Sequence, residues 1–384
     1  MKRLAIVTTH PIQYYAPVFK LLSETGEIKV KVFYTWGKEA LNKYDPGFRK
    51  KIEWDIPLLE GYDHTFLRNV SKKPGSGHFN GIINPDLNHE INQFGPDAIL
   101  VYGWAYNSHI KAMRHFKGKI PIWFRGDSHL LNKNSIGLKG LMRNILLTWV
   151  YKHVDKCFYV GSANKKYFLR YGVKEQNLVF APHAIDNSRF SIKRIAEVEA
   201  LRSSLGIQKA DILILFAGKL EDVKVPELLL QAFLAIKPNN AHLLFVGNGS
   251  LEQKLKDISA YEKNVHFMPF QNQQSMPVIY QSADIYCLPS KSETWGLAVN
   301  EAMVCGNAIV VSDKVGCAQD LVKEAQNGFI FVSGDQDDLQ KTLIKILRSP
   351  KKLKEMGEKS RMIIEDWNFN AFVTAIKSIF NDAQ

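Results

Sequence analysis

The sequence predicts an α/β chain of two doubly wound, Rossmann-like domains, each a parallel sheet with helices on both faces. Three observations predict it. Short, nearly continuous apolar runs alternate with helical stretches. That alternation stops near residue 190 and then restarts. The chain has 384 residues, 46% of them hydrophobic, which is more than one core usually holds and enough for two.

The elements follow in order. In the first half, strands are expected at 3–9, 29–36, 97–104, 119–126, 156–162 and 177–184, with helices at 15–26, 107–118 and 162–172. Gly26, Gly118 and Gly172 stand where helix C-caps would fall. A helix at 194–207 opens the second half. Strands are then expected at 211–220, 241–249, 264–270, 283–290, 308–313 and 328–334, with a helix at 225–237 between the first two. The domains are read as 1–190 and 191–366. The amphipathic stretch 367–384 either completes the second domain or packs back on the first. Two such sheets are expected to turn their carboxyl-end loops toward a shared cleft, where ligands bind in this architecture.

Composition narrows the function. Cys157, Cys287, Cys305 and Cys317 form no C-x-x-C pair, which argues against a zinc site or a disulfide framework and for a reducing, cytoplasmic setting. The opening apolar run is too short for a secretory signal, and no stretch approaches the ~20 apolar residues that span a bilayer. The formal charge is +12, from 50 Lys and Arg against 38 Asp and Glu, a balance that favours anionic partners. No nucleic-acid module is visible, so nucleic acid is not an expected partner. The stretch 133–156 mixes Lys and Arg with Leu, Ile and Trp at helical spacing. It reads either as a core-facing helix with solvated lysines or as a helix lying on an anionic membrane.

Several short motifs suggest chemistry. In "SETWGLAVNE", Glu293 lies in the loop after a strand and Glu301 one turn into a helix expected to start near Trp295–Leu297. Backbone N–H groups at that start, near Gly296 and Leu297, form an anion site. Glu301 is suited to accept from ribose hydroxyls and Glu293 from those of a second sugar; the plain alternative is a dipole-favoured acid and a solvated helix glutamate. "AGKLEDVK" sets Lys219 at a strand end and Lys224 before a helix. Such cations would offset a diphosphate leaving group, or would merely form a solvated face. "VGNGS" carries Gly247 but lacks the third glycine of a dinucleotide fingerprint. "APHAIDNSRF" places His183 in a strand-end turn. "WFRGDSHLL" offers Arg125, Asp127 and His129 after another strand.

Taken together, these segments resemble the retaining glycosyltransferases of family 4, with the GT-B fold, over nearly the whole chain. "PHAIDNSRF", "AGKLEDVK", "VGNG" and "SETWGLAVNEAMVCGNAIVVSD" appear in the family's order. The resemblance implies that Lys219 and Lys224 bind the donor diphosphate and that Glu301 holds the ribose. Glu293, with the backbone at Thr294, Trp295, Gly296 and Leu297, would hold the transferred sugar and its phosphate. Gly247 and the segment His266, Phe267, Met268 and Pro269 would flank the base. Asp127 or His129 would stand near the anomeric carbon, with Arg125 orienting either one or meeting an anionic acceptor. No metal or other cofactor is implied. The first loop departs from the family: where a glycine pair is usual it reads "THPIQYYAPVF", and His10, Gln13 and Tyr14 occupy the acceptor side.

The implied reaction moves a sugar from a UDP- or GDP-sugar to a hydroxyl of a glycan or lipid-linked acceptor, in bacterial surface polysaccharide or glycoconjugate synthesis. Domain closure would bring His10 and Asp127 against the donor. The enzyme is expected in the cytoplasm, at the inner face of the plasma membrane if the 133–156 stretch docks there. Two rivals are a nucleotide-sugar epimerase of the same fold and a non-catalytic nucleotide-sugar-binding protein.

Overall fold

The structure is a computed structural model. It describes every residue except 43, 46, 49, 132–136, 383 and 384, and only the backbone of residues 42, 50 and 382. Residues 133–136 of the basic stretch therefore lie outside the described residues. Two compact units result: Met1–Lys43, Ile56–Pro182 and Phe369–Gln384 form one; Tyr44–Asp55 and His183–Asn368 form the other.

In chain order the first half supplies β1 (Lys2–Thr8), β2 (Ile28–Tyr34), β3 (Tyr44–Asp45), β4 (Lys50–Lys51), β5 (Asp63–Phe66), β6 (Ala98–Tyr102), β7 (Ile122–Arg125), β8 (Lys156–Tyr159) and β9 (Leu178–Phe180). The first unit's sheet runs β5-β2-β1-β6-β7-β8-β9, all parallel. Strand side chains alternate between faces, so β1 feeds two cores. Leu4 and Ile6 join one cluster and Ala5 and Val7 the other. The first cluster is closed by the helix Phe369–Asp382. Its Phe372, Ile376 and Phe380, four residues apart, form one buried stripe. Phe380 packs on Trp123 with ring centroids 4.7 Å apart.

The second unit supplies β10 (Ile212–Ala217), β11 (Ala241–Val246), β12 (Val265–Met268), β13 (Ile285–Leu288), β14 (Ala308–Ser312) and β15 (Gly328–Phe331). They pair in the order β12-β11-β10-β13-β14-β15, again all parallel. Strand order reverses between β10 and β13, and in the first unit between β1 and β6. In open parallel sheets the crevice at such a reversal, beyond the carboxyl ends of the strands, is where ligands sit.

Each strand expected from sequence is present, trimmed at its carboxyl end. Sequence reading missed β5 and the antiparallel β3–β4 hairpin. β5, "DHTF", is a half-buried, mostly polar edge strand, so it lacks the apolar run that marks its neighbours. β3 and β4 are two residues each, below what periodicity can register.

Candidate functional site

The reversal point of the second unit is built from two loops. One follows β10 and carries Lys219 and Lys224; the other follows β13 and carries Glu293. The Lys224 ammonium donates to Glu293 Oε2, with both side chains mostly buried. A backbone bond joins the same loops, from Lys291 N–H to Val223 O at 2.9 Å. Val225, next to Lys224, has φ 51° and ψ 46°, a left-handed conformation that a β-branched residue rarely adopts. Such an outlier costs ~1–3 kcal/mol and persists only where its surroundings enforce it. Here Pro226 starts the helix Pro226–Ile236 immediately after it, fixing the exit of the Lys224 loop.

The Glu293 loop is clamped on its other side. Glu293 N–H donates to Lys314 O at 3.2 Å, Gly316 N–H to Glu293 O at 3.0 Å, and Cys317 N–H to Trp295 O at 3.0 Å. A Cβ on Gly316 would stand 2.0 Å from Thr294 O, so only glycine permits this approach. Gly296, at φ 101°, then turns the chain into the helix Leu297–Cys305. Glu301 is 3% exposed, which removes the solvated-glutamate alternative. Burial pushes the Tyr286 phenol well up, and Glu293 and Glu301 both add to the shift.

Sequence reading missed Asn300. It is fully buried; its Nδ2 donates to His183 O at 2.9 Å and its Oδ1 accepts from Trp295 Nε1 at 2.9 Å. One amide therefore ties the His183 turn to the Glu293 loop. The signal was legible: a buried Asn inside an apolar helix needs a partner. That turn is held further by Asp186, which accepts from Arg189 N–H at 3.0 Å, and by Asn187, which donates to Ile364 O at 3.3 Å.

Sequence reading also missed the partner of Lys219. Its ammonium lies 3.0 Å from Asp45 Oδ1 and 5.1 Å above the Phe48 ring. Both belong to the hairpin that the first half lends to this unit. Asp45 also accepts from the N–H groups of Gly47 and Phe48 at 2.8 and 3.1 Å. Burial would raise its carboxyl, but the Lys219 bond and the two N–H groups outweigh it and hold the pKa below the usual value. The sign follows: this contribution is complete above the ordinary carboxylate range and fades as pH falls through the lowered pKa. The hairpin is anchored as well by Phe48 on Phe270, 4.8 Å between centroids, and by Asn272 Nδ2 donating to Glu53 O at 2.6 Å.

Gly247 lies beside Lys219. A Cβ on Gly247 would meet Gly218 O at 2.0 Å, and one on Gly249 would meet Leu220 O at 2.2 Å. The glycine pair lets the loops after β10 and β11 touch, with Gly218 N–H on Val246 O at 2.9 Å and Leu220 N–H on Asn248 O at 3.0 Å. Met268 O accepts from Gly247 N–H at 3.0 Å, so Met268 and Pro269 adjoin the same edge. Phe267 stacks on Phe245 inside the sheet. The His266 ring turns to His242, 3.0 Å between Nε2 and Nδ1, and burial followed by the His242 charge lowers its pKa.

In the first unit the reversal point holds the other candidates. His10 follows β1; its Nδ1 is 2.8 Å from Thr9 Oγ1 and its ring meets the edge of Trp36. Gln13 and Tyr14 occupy the turn before the helix Ala16–Glu24. Arg125 is buried under Phe372 and donates to Ala181 O and Pro182 O at 2.8 and 3.0 Å, so it anchors the chain beyond β9. Burial, then Asp127, raises the Tyr15 phenol. The Asp127–His129 loop is pinned by Asn164 Nδ2 on Ser128 O at 2.7 Å, while His129 Nδ1 accepts from Leu131 N–H at 3.1 Å.

The four cysteines are buried thiols whose pKa burial raises. Among the described residues, no group of three His, Cys, Asp or Glu side chains is arranged to hold a metal ion. Nor is any helix among them long and apolar enough to cross a membrane.

Comparison with known proteins adds three findings. An uncharacterized glycosyltransferase of Haemophilus influenzae is 33% identical over 171 residues, 43% of this chain and 48% of that relative. The chain spans about half the length of the curated relatives it matches. In fold it is similar to the sucrose-phosphate synthase of Thermosynechococcus elongatus, with a TM-score of 0.74 at 16% identity over 100% of this chain and 99% of that one. It is likewise similar to Anabaena Alr3699/HepE in complex with UDP and glucose, with a TM-score of 0.72 at 14% identity over 100% of both. The fold expected from the sequence, two Rossmann-like parallel-sheet domains of the GT-B class, is the one observed. Residues 197–362, the segment that contains Lys219, Lys224, Glu293 and Glu301, match the family model of the Glycosyl transferases group 1.

Proposed function

We propose that this chain is a retaining, family 4 glycosyltransferase that moves a hexosyl or N-acetylhexosaminyl group from a UDP- or GDP-sugar to a hydroxyl of a glycan or lipid-linked acceptor. One observation carries the reading: at the strand-order reversal of the second unit Lys224 pairs with Glu293 across the two loops, Lys219 shares the first loop, and the buried Glu301 lies on the helix that follows the second. The Anabaena neighbour, solved with UDP and glucose, supports a nucleotide-sugar donor. Lys219 and Lys224 would neutralise the diphosphate with the start of the Leu297–Cys305 helix, without a metal ion. Glu301 would hold the ribose and Glu293 the sugar. The acceptor oxygen attacks the anomeric carbon from the face the phosphate leaves. The carbon–phosphate-oxygen bond breaks as the new glycosidic bond forms, and the acceptor proton passes to the departing phosphate oxygen. Asp127, His129 and His10 are the groups proposed to position the acceptor. The setting is the synthesis of a bacterial surface polysaccharide or glycoconjugate in the cytoplasm, at the inner face of the plasma membrane.

A thermal-shift panel of UDP-, GDP-, ADP- and CMP-sugars tests the donor, since a ligand that binds only the native state raises the melting point. A UDP- or GDP-sugar is expected to give the largest rise, unchanged by EDTA. No rise from any member overturns the reading, and a rise abolished by EDTA overturns its metal independence.

Lys219 must exchange Asp45 for the diphosphate. A partly exposed ion pair is worth about 0.2–1 kcal/mol. Asp45→Asn is therefore expected to tighten binding of the preferred nucleotide-sugar by up to about fivefold in isothermal titration. Weaker binding would show that Asp45 orients Lys219 instead of competing for it.

A further inference from the structure

The helix Leu138–Tyr151 of the first unit has apolar residues on two faces. Gly140, Leu147 and Tyr151 face inward. Leu138, Met142, Ile145 and Trp149, at i, i+4, i+7 and i+11, face outward with Leu141 and Leu146; Leu138 is 73% exposed and Ile145 63%. A water-exposed helix ordinarily keeps that outer face polar. Beside the helix, on the side that carries Leu146, Trp149 and Val150, lies a cavity of about 710 Å³, within the size range of ligand pockets. Trp104, Ile110, Leu146, Trp149 and Val150 form its apolar wall.

The rim is cationic. Lys111 and Arg114 line the cavity, with the Arg114 guanidinium 5.8 Å from the Trp149 ring. The lining has no acidic residue. Between Ala98 and Val154 the sequence holds nine Lys and Arg residues and a single acid, Asp127. Asn107 also lines the cavity, and its Oδ1 is buried with no hydrogen-bond partner among the described residues. An apolar wall calls for hydrocarbon, the paired cations for a phosphate, and the orphaned acceptor for a hydroxyl. A lipid with a phosphate headgroup supplies all three.

We propose that this cavity takes the hydrocarbon chain of a phosphate-bearing lipid, with Lys111 and Arg114 on the phosphate and the outer face of the helix lying in the membrane. The inference deepens the lipid-linked and membrane part of the proposed function and rests on that part; donor binding does not enter it.

The test is isothermal titration of the full chain with a twelve-carbon lysophosphatidic acid below its micelle concentration, beside monolaurin and glycerol 3-phosphate. A phosphate held by two cations makes charge-assisted bonds that monolaurin cannot make. The lysophosphatidate is therefore expected to bind at least about tenfold tighter than monolaurin, with no binding of glycerol 3-phosphate. Ala105 is exposed at the cavity mouth, and Ala105→Trp is expected to lower lysophosphatidate affinity by about tenfold or more. Circular dichroism and the nucleotide-sugar thermal shift should stay unchanged. The surface variant Lys111→Glu with Arg114→Glu should abolish the preference for lysophosphatidate over monolaurin. Glycerol 3-phosphate binding as well as the lysophosphatidate would overturn the proposal. So would an Ala105→Trp protein that binds like the parent; if it also floats with anionic vesicles, the membrane face stands and the cavity falls. Loss of the nucleotide-sugar shift alone would count against the donor reading and leave the cavity untouched.

Discussion

Lys224→Ala is expected to lower sugar transfer by about 10²–10³-fold, the usual cost of removing one group that stabilises charge developing in a transition state. The leaving diphosphate gains negative charge as the glycosidic carbon departs, and Lys224 stands at the strand-order reversal with its ammonium already oriented by Glu293. The loss should fall mainly on turnover. The side chains of Lys224 and Glu293 keep only 20% and 17% of their exposure, so the stability cost of stranding the carboxylate falls between the ~1 kcal/mol of an exposed pair and the ~3–5 kcal/mol of a buried one. Glu293→Ala should lower transfer comparably, by releasing both the sugar and the lysine. Initial rates with the donor found by thermal shift, beside melting curves, separate the two effects. Near-normal rates in both variants would overturn the assignment of this site.

The second large effect is structural. Gly247→Ala is expected to lower the melting temperature by about 6–12 °C, assuming about 3 kcal/mol and 2–4 °C per kcal/mol for a unit of this size. Two costs add. Gly247 has φ 138°, where a side chain is strained by about 1–3 kcal/mol. Its Cβ would also stand 2.0 Å from Gly218 O, and relieving that contact means parting two backbones at a further cost of about 1–3 kcal/mol. The separation would reach Lys219, the next residue along, so donor binding should weaken as well. Differential scanning calorimetry reads the first effect and titration the second. An unchanged melting point would show that the two loops move apart freely.

Local pattern revealed the sheets because each strand buried on both faces is an unbroken apolar run, and "ILILFA" and "AIVVS" leave little else to be read. The lysine and glutamate positions were legible for a related reason. They sit one loop beyond such runs, where an α/β sheet presents its ligand groups. Asn300 was readable in principle, as a polar residue that an apolar helix does not otherwise explain. Asp45 and Phe48 were not. They reach Lys219 across more than 170 residues of chain, and nothing local in "KYDPGFRKK" declares that distance. The orientation of the His266 ring toward His242 was equally hidden, because it depends on the register of β11 against β12. For Gly247 the structure shows the backbone approach to Gly218 that requires a glycine.

The closing helix Phe369–Asp382 enters the core of the first unit only after the entire second unit has passed in sequence. During translation, at roughly 5–20 residues per second, Phe372 and Ile376 emerge about 370 residues after Leu4 and Ile6. For that interval, tens of seconds long, the nascent first unit carries an open apolar face. The core of the first unit is therefore completed only after the second unit has been made, and a product truncated before Phe369 would keep the second unit whole and leave that face of the first open.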